Sequence, residues 1–148
     1  MSSTVGGEME VRLPRRVLEG IHAHARETYP EECCGFLLGR EQRSVRTVTE
    51  GLRSRNVHPD LRESRYTIDP RDVLEVERRC RGTETGILGF YHSHPRHPAQ
   101  PSSFDQERAW PRYVYLIVGL EIDVPGEVTA WSFDPERRAL LPVPVRVL

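Results

Sequence analysis

The sequence predicts a mixed α/β sandwich, with about seven strands forming a sheet and two or three helices covering it. Three observations lead there. Short apolar runs too brief for helices occur at Cys33–Gly39, Gly86–His92 and Tyr113–Leu120. Two longer segments place apolar residues at helical spacing behind a proline: Val17, Leu18, Ile21 and Ala25 after Pro14, and Val73, Leu74, Val76 and Cys80 after Pro70. Hydrophobic residues make up 37% and charged residues 29%, the balance of an ordinary globular chain.

Taken in order, Met9, Val11 and Leu13 alternate with Glu10 and Arg12, as a half-buried strand does. The first helix runs to about Thr28 and stops at Tyr29-Pro30, because the residue before a proline is disfavoured in the helical region. Cys33–Gly39 is then a central strand, and Val45–Thr49 a second. Residues 52–64 are irregular and arginine-rich, with Asn56, His58 and Pro59, and read as a long exposed loop. Tyr66–Ile68 reads as a short strand. Asp69 caps the next helix, Pro70 takes its first position, and Gly82 ends it. Gly86–His92 is a strand leading into a histidine cluster, and Pro95–Pro101 must be a loop. A helix begins near Ser102. Tyr113–Leu120, Val128–Phe133 and Leu141–Val147 complete the sheet, the last at an edge because of Pro142 and Pro144. A length of 148 residues suits one domain, set at 9–148, behind a flexible N-terminus at 1–8.

Composition excludes several functions. The net charge of −1 gives no reason to expect nucleic acid or an anionic membrane as partner. Every one of the 21 basic residues is arginine, which removes Schiff-base and lysine-base chemistry. Cys33, Cys34 and Cys80 form no CxxC pair and read as reduced, mostly buried thiols. No apolar run is long enough to span a membrane, and the N-terminus lacks the features of a signal peptide. The expected location is the cytoplasm.

The chemistry concentrates around His92, His94 and Asp105. Two residues apart at a strand end, both histidines project to one face and can converge on one ion. Asp105, at a helix start, adds a carboxylate oxygen. Two nitrogens and one oxygen suit Zn²⁺, and three protein ligands leave the open position of a catalytic zinc. Such a site lowers the pKa of bound water to about 7, yet still needs a proton acceptor. Glu31 and Glu32 both precede the central strand, and Glu32 is the stronger candidate for general base. Ser102, three residues before Asp105, lies on the same side of the helix. Its hydroxyl can donate to an oxyanion or simply cap the helix. His58 and His97 lie in loops and read as solvated, with His97 close enough to touch a substrate.

The segment His92-Ser93-His94-Pro95, followed by Ser102 and Asp105, resembles the motif of the JAMM (MPN-plus) zinc metalloproteases. Glu32-Cys33-Cys34-Gly35 resembles the family's Glu-x-Cys-Gly segment and selects Glu32 over Glu31. Pro30-Glu31-Glu32, Asn56 and Arg65–Pro70 add similarity to the bacterial branch, so the likeness spans roughly residues 9 to 135. The resemblance implies a cytidine-deaminase-like sandwich holding one Zn²⁺ per chain. It also implies hydrolysis of an amide or isopeptide bond beyond the C-terminal Gly-Gly of a ubiquitin-like or sulfur-carrier protein. Bacterial relatives of this kind release an amino acid such as cysteine from the carrier. Two other readings are a non-catalytic MPN scaffold subunit, which would lack the ligand set, and a DNA-repair-associated relative, which would need a basic face. A zinc nucleobase deaminase is excluded, since its HxE and PCxxC elements are absent.

Overall fold

The computed structural model describes residues 9–120 and 127–148; the expectation of a flexible segment at 1–8 lies outside them. Among the described residues, eight strands and three helices follow the order β1 (Glu10–Leu13), α1 (Arg15–Thr28), β2 (Cys34–Gln42), β3 (Val45–Ser54), α2 (Pro70–Cys80), β4 (Gly86–His94), α3 (Ser103–Arg108), β5 (Val114–Gly119), β6 (Val128–Asp134), β7 (Ala139–Val143) and β8 (Val145–Val147). The strands form one mixed sheet in the order β7-β6-β5-β4-β2-β3-β1-β8. No described helix is long and apolar enough to cross a membrane.

Period-two alternation sends Leu37 of β2 to one core and Phe36 and Leu38 to the other, while on β4 a register shift that skips Leu88 puts Leu88 and Tyr91 on one side and Ile87 and Phe90 on the other. Leu37 on β2 and Leu88 and Tyr91 on β4 pack with Val17, Ile21 and Ala25 of α1. Phe36, Leu38 and Val76 form a second, smaller core, with Ile68, Val73 and Phe90 against it. Fully burying each such aliphatic side chain contributes about 1.5–3 kcal/mol. Gly35 permits this layering at one tight point, because a side chain there would run into the Tyr91 ring and the Leu52 carbonyl.

Helix starts follow the sequence closely. Asp69 accepts a bond from the Arg71 N–H at 2.9 Å, with Pro70 at the first helical position. Three elements differ from expectation. β3 runs on to Ser54, with Leu52, Arg53 and Ser54 all in the ladder with β2 and the Arg53 side chain bonded to Glu27 (2.7 Å). An outward-facing arginine is compatible with a strand. Tyr66–Ile68 is no strand, and only an isolated bridge joins Ile68 to Asn56. The last strand is two strands: β7 pairs antiparallel with β6, and β8 pairs parallel with β1 at the far end of the sheet. Pro144 separates them and has no N–H to continue a ladder.

β4 has neighbours on both sides, antiparallel β2 and parallel β5. The carboxyl ends of the parallel pair, where the chain leaves β4 to cross over through α3, are where open α/β sheets place ligands.

Candidate metal centre and catalytic site

His92 and His94 lie at the carboxyl end of β4, opposite Ile117 and Gly119 of β5. Cys34 of β2 pairs with His92, so continuing that antiparallel ladder by two residues brings Glu32 opposite His94. The last strand hydrogen bonds at this end involve Cys33, whose N–H donates to Ser93 Oγ (2.8 Å) while its carbonyl accepts from the Ser93 N–H (3.2 Å). Glu32 thus stands just beyond the end of β2, level with His94.

Asp105 reaches the same point from α3. Ser102 caps this helix through a reciprocal pair: its Oγ accepts from the Asp105 N–H (3.0 Å), and Asp105 Oδ2 accepts from the Ser102 N–H (2.9 Å). The cap fixes the carboxylate. Asp105 Oδ2 then lies 3.2 Å from His92 Nε2 and 3.1 Å from His94 Nε2, and the two nitrogens are 3.2 Å apart. A tetrahedral face built on zinc bonds of about 2.0–2.1 Å has edges of about 3.3–3.4 Å. The donor set therefore fits a zinc-sized ion. His94 Nδ1 sits 2.9 Å from the Pro98 carbonyl, a contact that requires the proton on Nδ1 and leaves the Nε2 lone pair facing the cluster. Tyr66 stacks on His92 with ring centroids 4.4 Å apart and holds its plane.

Glu32 is 2% exposed, and its carboxylate lies within 4.8 Å of the His92 and His94 nitrogens. Its Oε1, like His92 Nδ1, is buried without a hydrogen-bonding partner among the described residues. Burial pushes the Glu32 carboxyl up to about 8, Asp105 adds to the rise, and His94 opposes it. Burial lowers His92. For His94, burial acts downward but is outweighed by the bonds to Asp105 and Pro98, and the net shift is up. Asp105 itself is raised by burial and brought well below the usual carboxylate range by the two imidazoles. The centre thus holds one firmly ionised carboxylate and one poised to take a proton.

A cavity of about 200 Å³ opens beside Asp105, walled by Tyr66, Ile68, Val73, Phe90, Phe104 and Trp110. Trp110 is 68% exposed. Arg65 and Arg108 both lie over the Phe104 ring, at 4.6 and 5.1 Å.

All five residues expected from the sequence thus meet at one end of β4. His97 stands off, its ring 6.3 Å from that of His94. His58 is more than a solvated side chain: its Nδ1 accepts from the Leu61 N–H (3.1 Å) and shapes the loop. The three cysteines are unpaired, with Cys33 and Cys34 buried, as expected. Sequence reading gave no role to Tyr66 or to the Pro98 carbonyl. An aromatic residue in a loop beside a metal motif was the available signal for Tyr66; a backbone carbonyl offers none.

The profile of the family described as prokaryotic homologs of the JAB domain matches residues 14–134. A desampylase of Haloferax volcanii is 37% identical over 126 residues, 80% of this chain and 86% of that protein. A "probable TtuB-protein conjugate cleaving protease" of Thermus thermophilus is 34% identical over 109 residues, covering 74% and 70%. A solution structure of a Desulfitobacterium hafniense protein superposes with a TM-score of 0.82 at 28% identity, over 93% of this chain and 92% of that one.

Proposed function

As this chain belongs to the prokaryotic JAB family, within the JAMM/MPN proteases that act on ubiquitin-like proteins, we propose that it is a zinc-dependent peptidase cutting the amide or isopeptide bond after a carrier's C-terminal Gly-Gly. The observation carrying this reading is the meeting of Asp105 Oδ2 and two imidazole nitrogens at 3.1–3.2 Å beside an unpartnered buried carboxylate. The relatives' names, one a desampylase and one a cleaver of protein conjugates, support a protein conjugate as substrate.

His92, His94 and Asp105 would hold one Zn²⁺, which supplies Lewis acidity and a water of lowered pKa at its open position. Hydrolysis forms one C–O bond and breaks the C–N bond, and a proton must travel from water to the departing nitrogen. Glu32 makes that transfer: its carboxylate is buried beside the cluster and has no competing partner among the described residues. Ser102 Oγ accepts from the Asp105 N–H, which leaves its own O–H free to donate to the carbonyl oxygen as negative charge develops there. Capping and oxyanion donation are therefore compatible.

β4 itself offers no free edge to an extended tail, since β2 and β5 flank it on either side. The loop between β3 and α2 and the aromatic cavity offer the walls instead. The unpaired cysteines fit a reducing cytoplasm.

The test is a folded ubiquitin-like carrier extended by one residue past its Gly-Gly, with the product weighed by mass spectrometry. Cleavage after the second glycine is expected, with far slower cutting when that glycine becomes alanine. Equal rates on unstructured peptides, or tolerance of alanine, would leave only a general metallopeptidase.

A further inference from the structure

Continuing the β2–β3 ladder two residues beyond Cys34 and Ser54 sets Glu32 opposite Asn56. The position is occupied by a side-chain network. Asn56 Nδ2 donates to the carbonyls of Glu32 (3.0 Å), Arg65 (2.9 Å) and Arg62 (3.3 Å). Its Oδ1 accepts from the N–H groups of Thr67 (3.1 Å) and His58 (3.1 Å). Three carbonyls on one side and two N–H groups on the other fix the orientation of the amide. The Arg62 carbonyl meanwhile accepts the Glu32 N–H at 2.8 Å, so loop backbone and the Asn56 amide hold Glu32 by both its N–H and its C=O.

The same amide grips Tyr66. The Arg65 carbonyl and the Thr67 N–H belong to the two peptide groups flanking that residue, and Tyr66 is stacked on His92. One side chain therefore ties the strand end bearing the unpartnered carboxylate to the aromatic ring orienting a metal-ligand candidate. No other described side chain has hydrogen bonds both to the Glu32 backbone and to the peptide groups flanking Tyr66.

We infer that Asn56 is a positioning residue: its amide sets the distance between the Glu32 carboxylate and the His92–His94–Asp105 cluster by clamping residues 56–67 across the end of β2. This rests on the reading of Glu32 as the proton-transferring group. Misplacement of a reacting group by about 1 Å costs on the order of 10²-fold in rate, so the clamp acts on turnover rather than on substrate affinity.

Asn56→Asp discriminates, because it keeps the acceptor for Thr67 and His58 but cannot donate to the three carbonyls. Expected are a kcat reduced by about 10- to 100-fold, a KM within about twofold, unchanged zinc content, and faster amide exchange at Glu32. In a Glu32→Gln background the same change should cost nothing further, since the group being positioned is already inert. A folded, zinc-loaded Asn56→Asp with kcat near wild type, or with its loss confined to KM, overturns the clamp. An active Glu32→Gln overturns instead the underlying reading of Glu32. Should Asn56→Asp fail to fold, amide exchange in the wild-type protein decides. Glu32 must then exchange as slowly as the ladder residues of β2, although it lies outside the strand. Exchange as fast as in the surrounding loop refutes the clamp.

Discussion

Ser102 has two jobs in this reading, and they separate cleanly by substitution. Its Oγ accepts the Asp105 N–H at 3.0 Å as the cap of a helix of only six residues, and its O–H is assigned to the developing oxyanion. Ser102→Ala removes both. Loss of the cap costs about 1 kcal/mol, which in a chain of this size lowers Tm by about 3 °C. Against a total stability of about 5–15 kcal/mol, the protein stays almost wholly folded in the assay. Loss of an oxyanion donor costs about 10²–10³ in kcat, or about 2.7–4 kcal/mol, so the two effects differ severalfold in size. Ser102→Gly separates them, because glycine at a helix cap costs only a few tenths of a kcal/mol while still lacking the hydroxyl. The expected pattern is a lowered Tm in Ser102→Ala only, a kcat lowered about 10²-fold or more in both, and recovery of both properties in Ser102→Thr. Zinc content measured alongside must be equal, since the cap also holds Asp105. If Ser102→Gly turns over within about fivefold of wild type, or if activity simply ranks with Tm, the hydroxyl is a cap and no more.

Three further outcomes are expected. Glu32→Gln should retain zinc and lose about 10²–10⁴ of turnover while Glu31→Gln is mild; the reverse ranking in a steady-state assay moves the proton to Glu31. In metal-free protein, the Glu32 carboxyl is raised from 4.5 to about 8, so its contribution is intact below about 4.5 and is lost as pH rises to about 8. Glu32→Gln should accordingly match wild type in chemical denaturation near pH 4 and exceed it at pH 8, the gap opening by at most about 1.4 kcal/mol per pH unit; a constant gap shows that burial does not govern this group. His92→Ala and Asp105→Ala should each abolish most zinc binding, and equal metal content in all three proteins places the ion elsewhere.

The sequence carried the parts of this molecule that depend on local pattern. Apolar runs marked β2, β4 and β5, Asp69-Pro70 marked the start of α2, and the spacing from His92 to Asp105 marked the centre. What it hid depends on pairing across the sheet. Arg53 looked like loop because its partner Glu27 lies on a different element. Asn56 and Tyr66 were visible only as points of family likeness, because their meaning comes from facing Glu32 and His92. The division of the C-terminal strand followed from a proline whose effect is clear only once β1 is known to lie beyond it.

That division has a consequence for the molecule's behaviour in a crowded cell. The two outermost strands of the sheet, β7 and β8, are consecutive in the chain, and only Pro144 separates them. An exposed strand edge with a full row of N–H donors is a template for cross-β growth by a neighbouring molecule. Here Pro142 lies within β7 and takes one donor out of that strand, while Pro144 falls between the two strands and ends the first. Pro142, one of the two prolines that mark this part of the chain as an edge in the sequence, therefore also shortens the run of donors that β7 can offer to a neighbouring molecule.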